Sequence, residues 1–136
     1  MQRVDVERLI YLSRALSPEP AAALDDILQS SIWNNARLRI TGALGFSGQT
    51  YVQFLEGPAE SLDELLVRLK ADPRHRDLTV LVRCSAENRM LPGWTMARVD
   101  LAEHAPKVNH LLASGDGLAL IGLMVNLVRK GVTGVI

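Results

Sequence analysis

Apolar and polar positions alternate over residues 8–14, with Ile10 and Leu12 on one side and Leu9, Tyr11 and Ser13 on the other. That period of 2 predicts a short central strand. Ser17-Pro18 supplies an N-cap and a first-turn proline, after which Ala21, Leu24, Ile27, Leu28 and Ile32 recur at helical spacing until the stripe fades at Asn34-Asn35. Residues 39–46 and 50–56 are apolar stretches flanking Ser47-Gly48-Gln49, the pattern of a β-hairpin. Leu62, Leu65, Leu66 and Leu69 then mark a second helix, with Ser61 and Glu64 spaced as a capping box and Asp72-Pro73 as its stop. The β-branched run 78–84 predicts a fourth strand, and residues 94–99, after Pro92-Gly93, a fifth. The order β-α-β-β-α-β-β, with two helices on one side of a mostly antiparallel sheet, is that of a ferredoxin-like α+β sandwich.

Residues 103–136 differ in kind. Ser114-Gly115-Asp116-Gly117 separates a weak helix from one that is apolar around most of its circumference, through Leu118, Leu120, Ile121, Leu123, Met124, Val125, Leu127 and Val128, with Gly131 as its C-terminal stop. These helices are expected to cover the second face of the sheet, as part of the same globule, either leaving surplus apolar surface for another protomer or a partner or serving only as a core-covering appendage.

Composition narrows the functional classes. A chain of 136 residues with 48% apolar content is enough for one core. Fifteen basic and fifteen acidic side chains cancel, so no global field draws the chain to nucleic acid or to an anionic membrane surface. Cys84 is alone, and His75, His104 and His110 are scattered, so neither an internal disulfide nor a metal site is expected. The N-terminal residues lack signal-peptide character, and the apolar run 118–125 is far shorter than the ~20 residues that span a bilayer. A cytoplasmic, metal-free protein is expected.

Candidate chemistry centres on Gln53, a carboxamide in an otherwise apolar inner strand. Burying it costs about 1–3 kcal/mol unless its donors and acceptors are matched. The sandwich makes the first and third strands neighbours and puts Tyr11 and Gln53 on the face beneath the helices, close enough to touch. A phenol and an amide that can reverse its oxygen and nitrogen form a two-state hydrogen-bond chain. The plainer reading of Tyr11 is a core tyrosine satisfied by backbone. Capping the first helix accounts for one of Asn34 and Asn35, leaving the other to turn its amide toward the gap between the helices. Arg74 and His75, just past the second helix, suit a phosphate or simply an exposed loop. Trp94 and Met96, at alternate positions, are expected to share a face of the fifth strand.

Taken together, Leu9-Ile10-Tyr11-Leu12-Ser13, Asn34-Asn35-Ala36-Arg37, Ile40-Thr41-Gly42-Ala43-Leu44, Gln53-Phe54-Leu55-Glu56-Gly57, Asp72-Pro73-Arg74-His75-Arg76 and Gly93-Trp94-Thr95-Met96 resemble the BLUF family, the blue-light sensors that use FAD. The resemblance runs from about Arg8 to about Val99. It implies a flavin ring held between the two helices and no enzymatic activity in the domain itself. It further implies that Tyr11 is the photoactive tyrosine, Gln53 the switching glutamine and Asn35 the partner of the flavin pyrimidine edge. The resemblance also implies that Asn34 and Ser13 lie beside them, that Arg74 and His75 lie near the ribityl and phosphate end, and that Trp94 and Met96 are the pair tied to signal output. Gly45 departs from the bulky residue common at that position, which predicts looser packing at the hairpin end.

On this reading residues 1–102 form the photosensor and residues 103–136 a helical extension that serves as output or oligomer interface. The implied function is a light-driven Tyr-Gln-flavin hydrogen-bond switch that alters protein contacts, in a homo-oligomer or with a separate downstream effector. Two alternatives rest on the same fold. One is a small acylphosphatase-like hydrolase using Asn35 with Arg37 or Arg14; the other is a cofactor-free dimerisation module.

Overall fold

Backbone pairing joins strands distant in sequence into one mixed sheet. The computed structural model describes residues 6–15, 29, 32–47, 50–71 and 75–130. Its strands are β1 (Val6–Ala15), β2 (Thr41–Ser47), β3 (Thr50–Gly57), β4 (His75–Ala86) and β5 (Ala97–Asp100), in the spatial order β4-β1-β3-β2-β5. β1 lies antiparallel between β3 and β4, β2 and β3 form the hairpin, and β5 runs parallel to β2. The helices are α1, described over residues 32–38, α2 (Ala59–Lys70), α3 (Ala105–Ser114) and α4 (Gly117–Arg129), with a 3-10 turn at Ala102–His104 before α3. The α+β ferredoxin-like arrangement expected from the hydrophobic pattern is the one observed.

Strand alternation divides the apolar residues between two cores. Leu9, Tyr11, Leu44, Tyr51 and Leu55 pack beneath α1 and α2 with Leu38, Leu62, Leu65, Leu69 and Met96. Ile10, Ala43, Val52 and Phe54 point the other way, against Val108, Leu111, Leu120, Ile121, Met124 and Val125 of α3 and α4. The apolar surplus expected on α4 is therefore small: Leu118 is 65% exposed and Leu123 half-buried, while the other apolar positions named above lie in the core. Gly115, at φ 69°, ends α3 in the left-handed region that glycine enters without strain. Asp116 then caps α4, its carboxylate accepting the Ala119 N–H at 3.0 Å.

Local expectations fail at several places, each for a visible reason. Ser61 and Glu64 form no capping box, because α2 begins at Ala59 behind Pro58, whose φ of −59° already suits a helix entry. Asn34 and Asn35 do not end α1. The helix runs on to Leu38, and Arg39, at φ 60°, takes the left-handed position while the Ile40 N–H reaches the Asn35 carbonyl at 2.8 Å. Gly45 does not loosen the hairpin end either. A Cβ there would stand 2.5 Å from Leu101 Cδ1, so the missing side chain is the space that Leu101 fills. β5 starts at Ala97 rather than at Trp94, and Trp94 and Met96 lie on the irregular approach to it. Ser17, Pro18, Ala21, Leu24, Ile27, Leu28, Gly48, Gln49, Asp72, Pro73, Arg74 and Gly131 lie outside the described residues.

Candidate functional site

Tyr11 and Gln53 are direct partners in the register of β1 and β3. Both are buried, and the Tyr11 hydroxyl donates a hydrogen bond to Gln53 Oε1. Gln53 Nε2 donates in turn to Met96 Sδ at 3.7 Å. A thioether is a weak acceptor, so this end of the amide is held far less firmly than the end facing the phenol. Beside Tyr11, the pairing of β1 with β4 slips between Ile10 and Tyr11 and again between Leu12 and Arg14, near Asp77 at φ 55°. Such bulges bend a strand locally and re-aim its side chains.

Asn35 is fully buried on the inner side of α1. Its Nδ2 donates to the Thr95 carbonyl at 3.3 Å, and its Oδ1 has no hydrogen-bond partner among the described residues. Ser13, two residues from Tyr11 on the same face of β1, is fully buried with its hydroxyl likewise unpartnered. Buried orphans of this kind cost about 1–3 kcal/mol each, and native interiors seldom keep them without a use. Both have the chemistry to meet the polar edge of a planar heterocycle: Asn35 Oδ1 accepts from a ring N–H, and the Ser13 hydroxyl donates or accepts. The side chains present therefore fit a flavin.

The remaining predicted positions separate. Met96 is buried in the same cluster as Tyr11, whereas Trp94 packs against the α3 and α4 core, so the two do not share a face. The reason is that residues 94–96 do not follow strand alternation: the Trp94 carbonyl accepts the Gly42 N–H at 3.0 Å and the Thr95 carbonyl faces Asn35. Asn34 is turned outward, its Oδ1 accepting from Arg68 at 3.3 Å. Arg68 and Arg37 both pair with Glu64, at 3.7 and 3.1 Å, so one acidic side chain of α2 links the outer surfaces of the two helices. His75 opens β4 with its backbone opposite Ala15. Arg37 is committed to this outer network and Arg14 is exposed, so neither joins Asn35 as a hydrolase would require.

One buried group escaped the sequence reading. Glu56 is fully buried, and its carboxylate accepts the Met90 N–H at 2.6 Å and the Leu91 N–H at 2.9 Å, with Arg8 Nε at 3.4 Å. The signal was available, since Glu56 interrupts the same apolar run that drew attention to Gln53. At the far edge Arg83 ties β4 to Glu7 and to Asp63, at 2.6 and 2.7 Å. The hydrogen bond to Glu7 is the main cause that raises its pKa above the ordinary arginine value; desolvation opposes it, and the hydrogen bond to Asp63 adds to the rise. With a folded pKa raised above an already high unfolded one, this stabilisation is complete below the unfolded value and fades only in strong alkali. It adds no pH dependence near neutrality.

A sandwich that seats a phenol, a reversible carboxamide and two orphaned polar atoms under one pair of helices is a module built around a polar guest, not a self-sufficient core. The chain belongs to the family of sensors of blue light using FAD, BLUF, whose model matches residues 6–97. Its fold is similar to the dark-state structure of BlrB, a BLUF protein, with a TM-score of 0.79, 30% identity, and coverage of 94% of this chain and 99% of that one. The photoactivated adenylate cyclase subunit beta of Euglena longa is 34% identical over 89 residues, 65% of this chain and 10% of that protein. The blue light- and temperature-regulated antirepressor BluF of Escherichia coli (strain K12) is 30% identical over 96 residues, 71% of this chain and 24% of that protein. The chain thus spans at most about a quarter of those two relatives. It is a flavin-binding, blue-light-sensing module.

Proposed function

We propose that the flavin is FAD and that Tyr11, Gln53 and Met96 form a light-driven hydrogen-bond switch beside it, with no enzymatic step in the module itself. The observation that carries this reading is the Tyr11–Gln53–Met96 chain, buried next to the unpartnered Ser13 hydroxyl and Asn35 carbonyl oxygen. Bound flavin supplies light absorption and a strongly oxidising excited state. Tyr11 is the nearby electron and proton donor, Gln53, which accepts its hydroxyl hydrogen bond, relays the proton, and both electron and proton return to Tyr11, so no net oxidation remains. Reversal or tautomerisation of the Gln53 amide then exchanges donor for acceptor toward both Tyr11 and Met96. The weak thioether contact makes that exchange inexpensive on the Met96 side. Ser13 and Asn35 orient the ring, and Arg74 and His75 are assigned to the phosphate end.

Because the change is one of hydrogen bonding, a small red shift of the visible spectrum and thermal return in darkness are expected. Replacing Tyr11 with Phe should leave FAD bound and remove the shift. Absorption spectra before and after blue light decide the matter: a normal photocycle in Tyr11→Phe excludes this mechanism, and a colourless protein that refuses FAD excludes the FAD assignment.

Output is proposed to pass from Met96 through β5 to the helices of residues 103–136, and from there to a changed contact with a second copy or a separate effector protein. Residues 1–102 would be the sensing unit and the cytoplasm its compartment, with neither nucleic acid nor membrane as partner. The balanced charge supports this, and among the described residues no helix is long and apolar enough to cross a membrane. Truncation after residue 102 is a poor test, because α3 and α4 supply much of one core. Leu118→Ser, an exposed site on α4, removes surface without removing core, and unchanged light-dependent association in that variant would count against α4 as the output face.

A further inference from the structure

The segment from Met90 to Met96 is attached to β3 at both ends. At one end the Glu56 carboxylate takes the Met90 and Leu91 N–H groups; at the other Gln53 Nε2 meets Met96 Sδ. Between them the Trp94 N–H bonds the Leu91 carbonyl at 3.2 Å, the Trp94 carbonyl takes the Gly42 N–H, and the Thr95 carbonyl takes Asn35 Nδ2. Arg89, just before the segment, donates to Thr41 Oγ1 and the Glu56 carbonyl at 2.9 Å each and to the Arg39 carbonyl at 2.6 Å. It therefore fastens the loop to the turn that follows α1 as well as to β2 and β3.

A fully buried carboxylate is retained only where its charge is met, and here two backbone N–H groups and one guanidinium meet it. Its position is informative. Glu56 lies three residues from Gln53, on the opposite face of β3, so it takes no part in the hydrogen-bond chain under α1 and α2. What it controls is the start of the segment whose end carries Met96.

We infer that Glu56, braced by Arg8 and Arg89, is a positioning residue that holds Met96 against Gln53. This rests on the reading of Tyr11, Gln53 and Met96 as the switch. Glu56 is the fixed end of the handle and Gln53 the end that lets go. With the fixed end intact, a reversal of the Gln53 amide moves Met96 and the β5 residues that follow it; with that end released, the same event is absorbed within the loop.

The test is a double-mutant cycle in the FAD-loaded chain. Glu56→Gln keeps the size of the side chain but replaces one carboxylate acceptor with a donor, so the Met90 and Leu91 amides should lose protection from hydrogen exchange. Flavin bands and the light-induced shift should persist, and the dark-recovery rate should change by about threefold or more, in the direction that Met96→Ala changes it. Placed on top of Met96→Ala, Glu56→Gln should add less than about a twofold change. Multiplying effects, or a recovery rate equal to that of the unaltered chain, would overturn the proposal, because a merely structural residue acts regardless of what stands at position 96. Should Glu56→Gln fail to fold, Arg89→Lys, which breaks the planar fork at a less buried site, is carried through the same cycle with the same criteria. If the unaltered chain takes up no FAD or gives no shift, the switch reading fails instead. Amide exchange at Thr95 and Met96 then still decides the anchor: faster exchange in Glu56→Gln supports it, and unchanged exchange overturns it.

Discussion

Ile10 and Tyr11 are neighbours in β1, and Val52, Gln53 and Phe54 are consecutive in β3, yet the two faces they build differ in how their buried polar atoms are met. The face under α3 and α4 is closed by Ile10, Val52, Phe54, Val108, Leu120 and Met124, and the carboxylate of Glu56, buried on the same face of β3, is met by two backbone N–H groups and Arg8. The face under α1 and α2 buries two tyrosines, a serine, an asparagine and a glutamine among its aliphatic residues. One face is finished as it stands. The other holds polar atoms that a protein interior does not keep without a partner. The contrast separates the cohesive half of the sandwich from the half shaped for a guest, within strands only one residue thick.

The largest effect should come from cutting the finished face. Phe54→Ala is expected to cost about 3–5 kcal/mol in denaturant unfolding of the flavin-free chain. A loss below about 1 kcal/mol would mean that the apolar face is not what holds the sheet together. Gly45→Val should cost about 1–3 kcal/mol by driving a side chain into Leu101, read by the same unfolding curves. A neutral result would show that the hairpin end has room after all.

Ser13→Ala sharpens the contrast from the other side. In the flavin-free chain, removing an unpartnered buried hydroxyl should be neutral or stabilise by up to about 1 kcal/mol, while FAD binding weakens. Loss of stability with unchanged FAD affinity, measured by titration, would place the hydroxyl in the fold and not in the site. The smallest effect belongs to the outer network: Glu64→Gln should cost at most about 1 kcal/mol and vanish in high salt, because its pairs with Arg37 and Arg68 are half exposed.

The sequence failures are as local as the successes are general. Where one face of a strand or helix meets a core, period 2 or 3.6 is enough, which is why the four long strands and α2 were legible. The capping box at Ser61, the helix end at Asn35 and the shared face of Trp94 and Met96 were misread because backbone hydrogen bonds, not side-chain periodicity, set them. Each was set by a backbone group that the apolar pattern does not mark: the Pro58 carbonyl at the start of α2, the Asn35 carbonyl that takes the Ile40 N–H with Arg89 holding the turn, and the Gly42 N–H that meets Trp94. Glu56 was overlooked because its partners at 90 and 91 belong to an irregular loop, where no periodicity marks a contact.

Chain order and spacing alone determined the sandwich, the adjacency of β1 and β3, and the face that Tyr11 and Gln53 share, because strand alternation is a local rule and a slip of one residue would turn the apolar set of a strand out of its core. Tertiary structure decided which of the flanking residues joined them. Met96 and Asn35 came in, while Trp94 and Asn34 were turned away. That choice depended on hydrogen bonds made across 30 to 60 residues of chain, whose geometry no local pattern encodes.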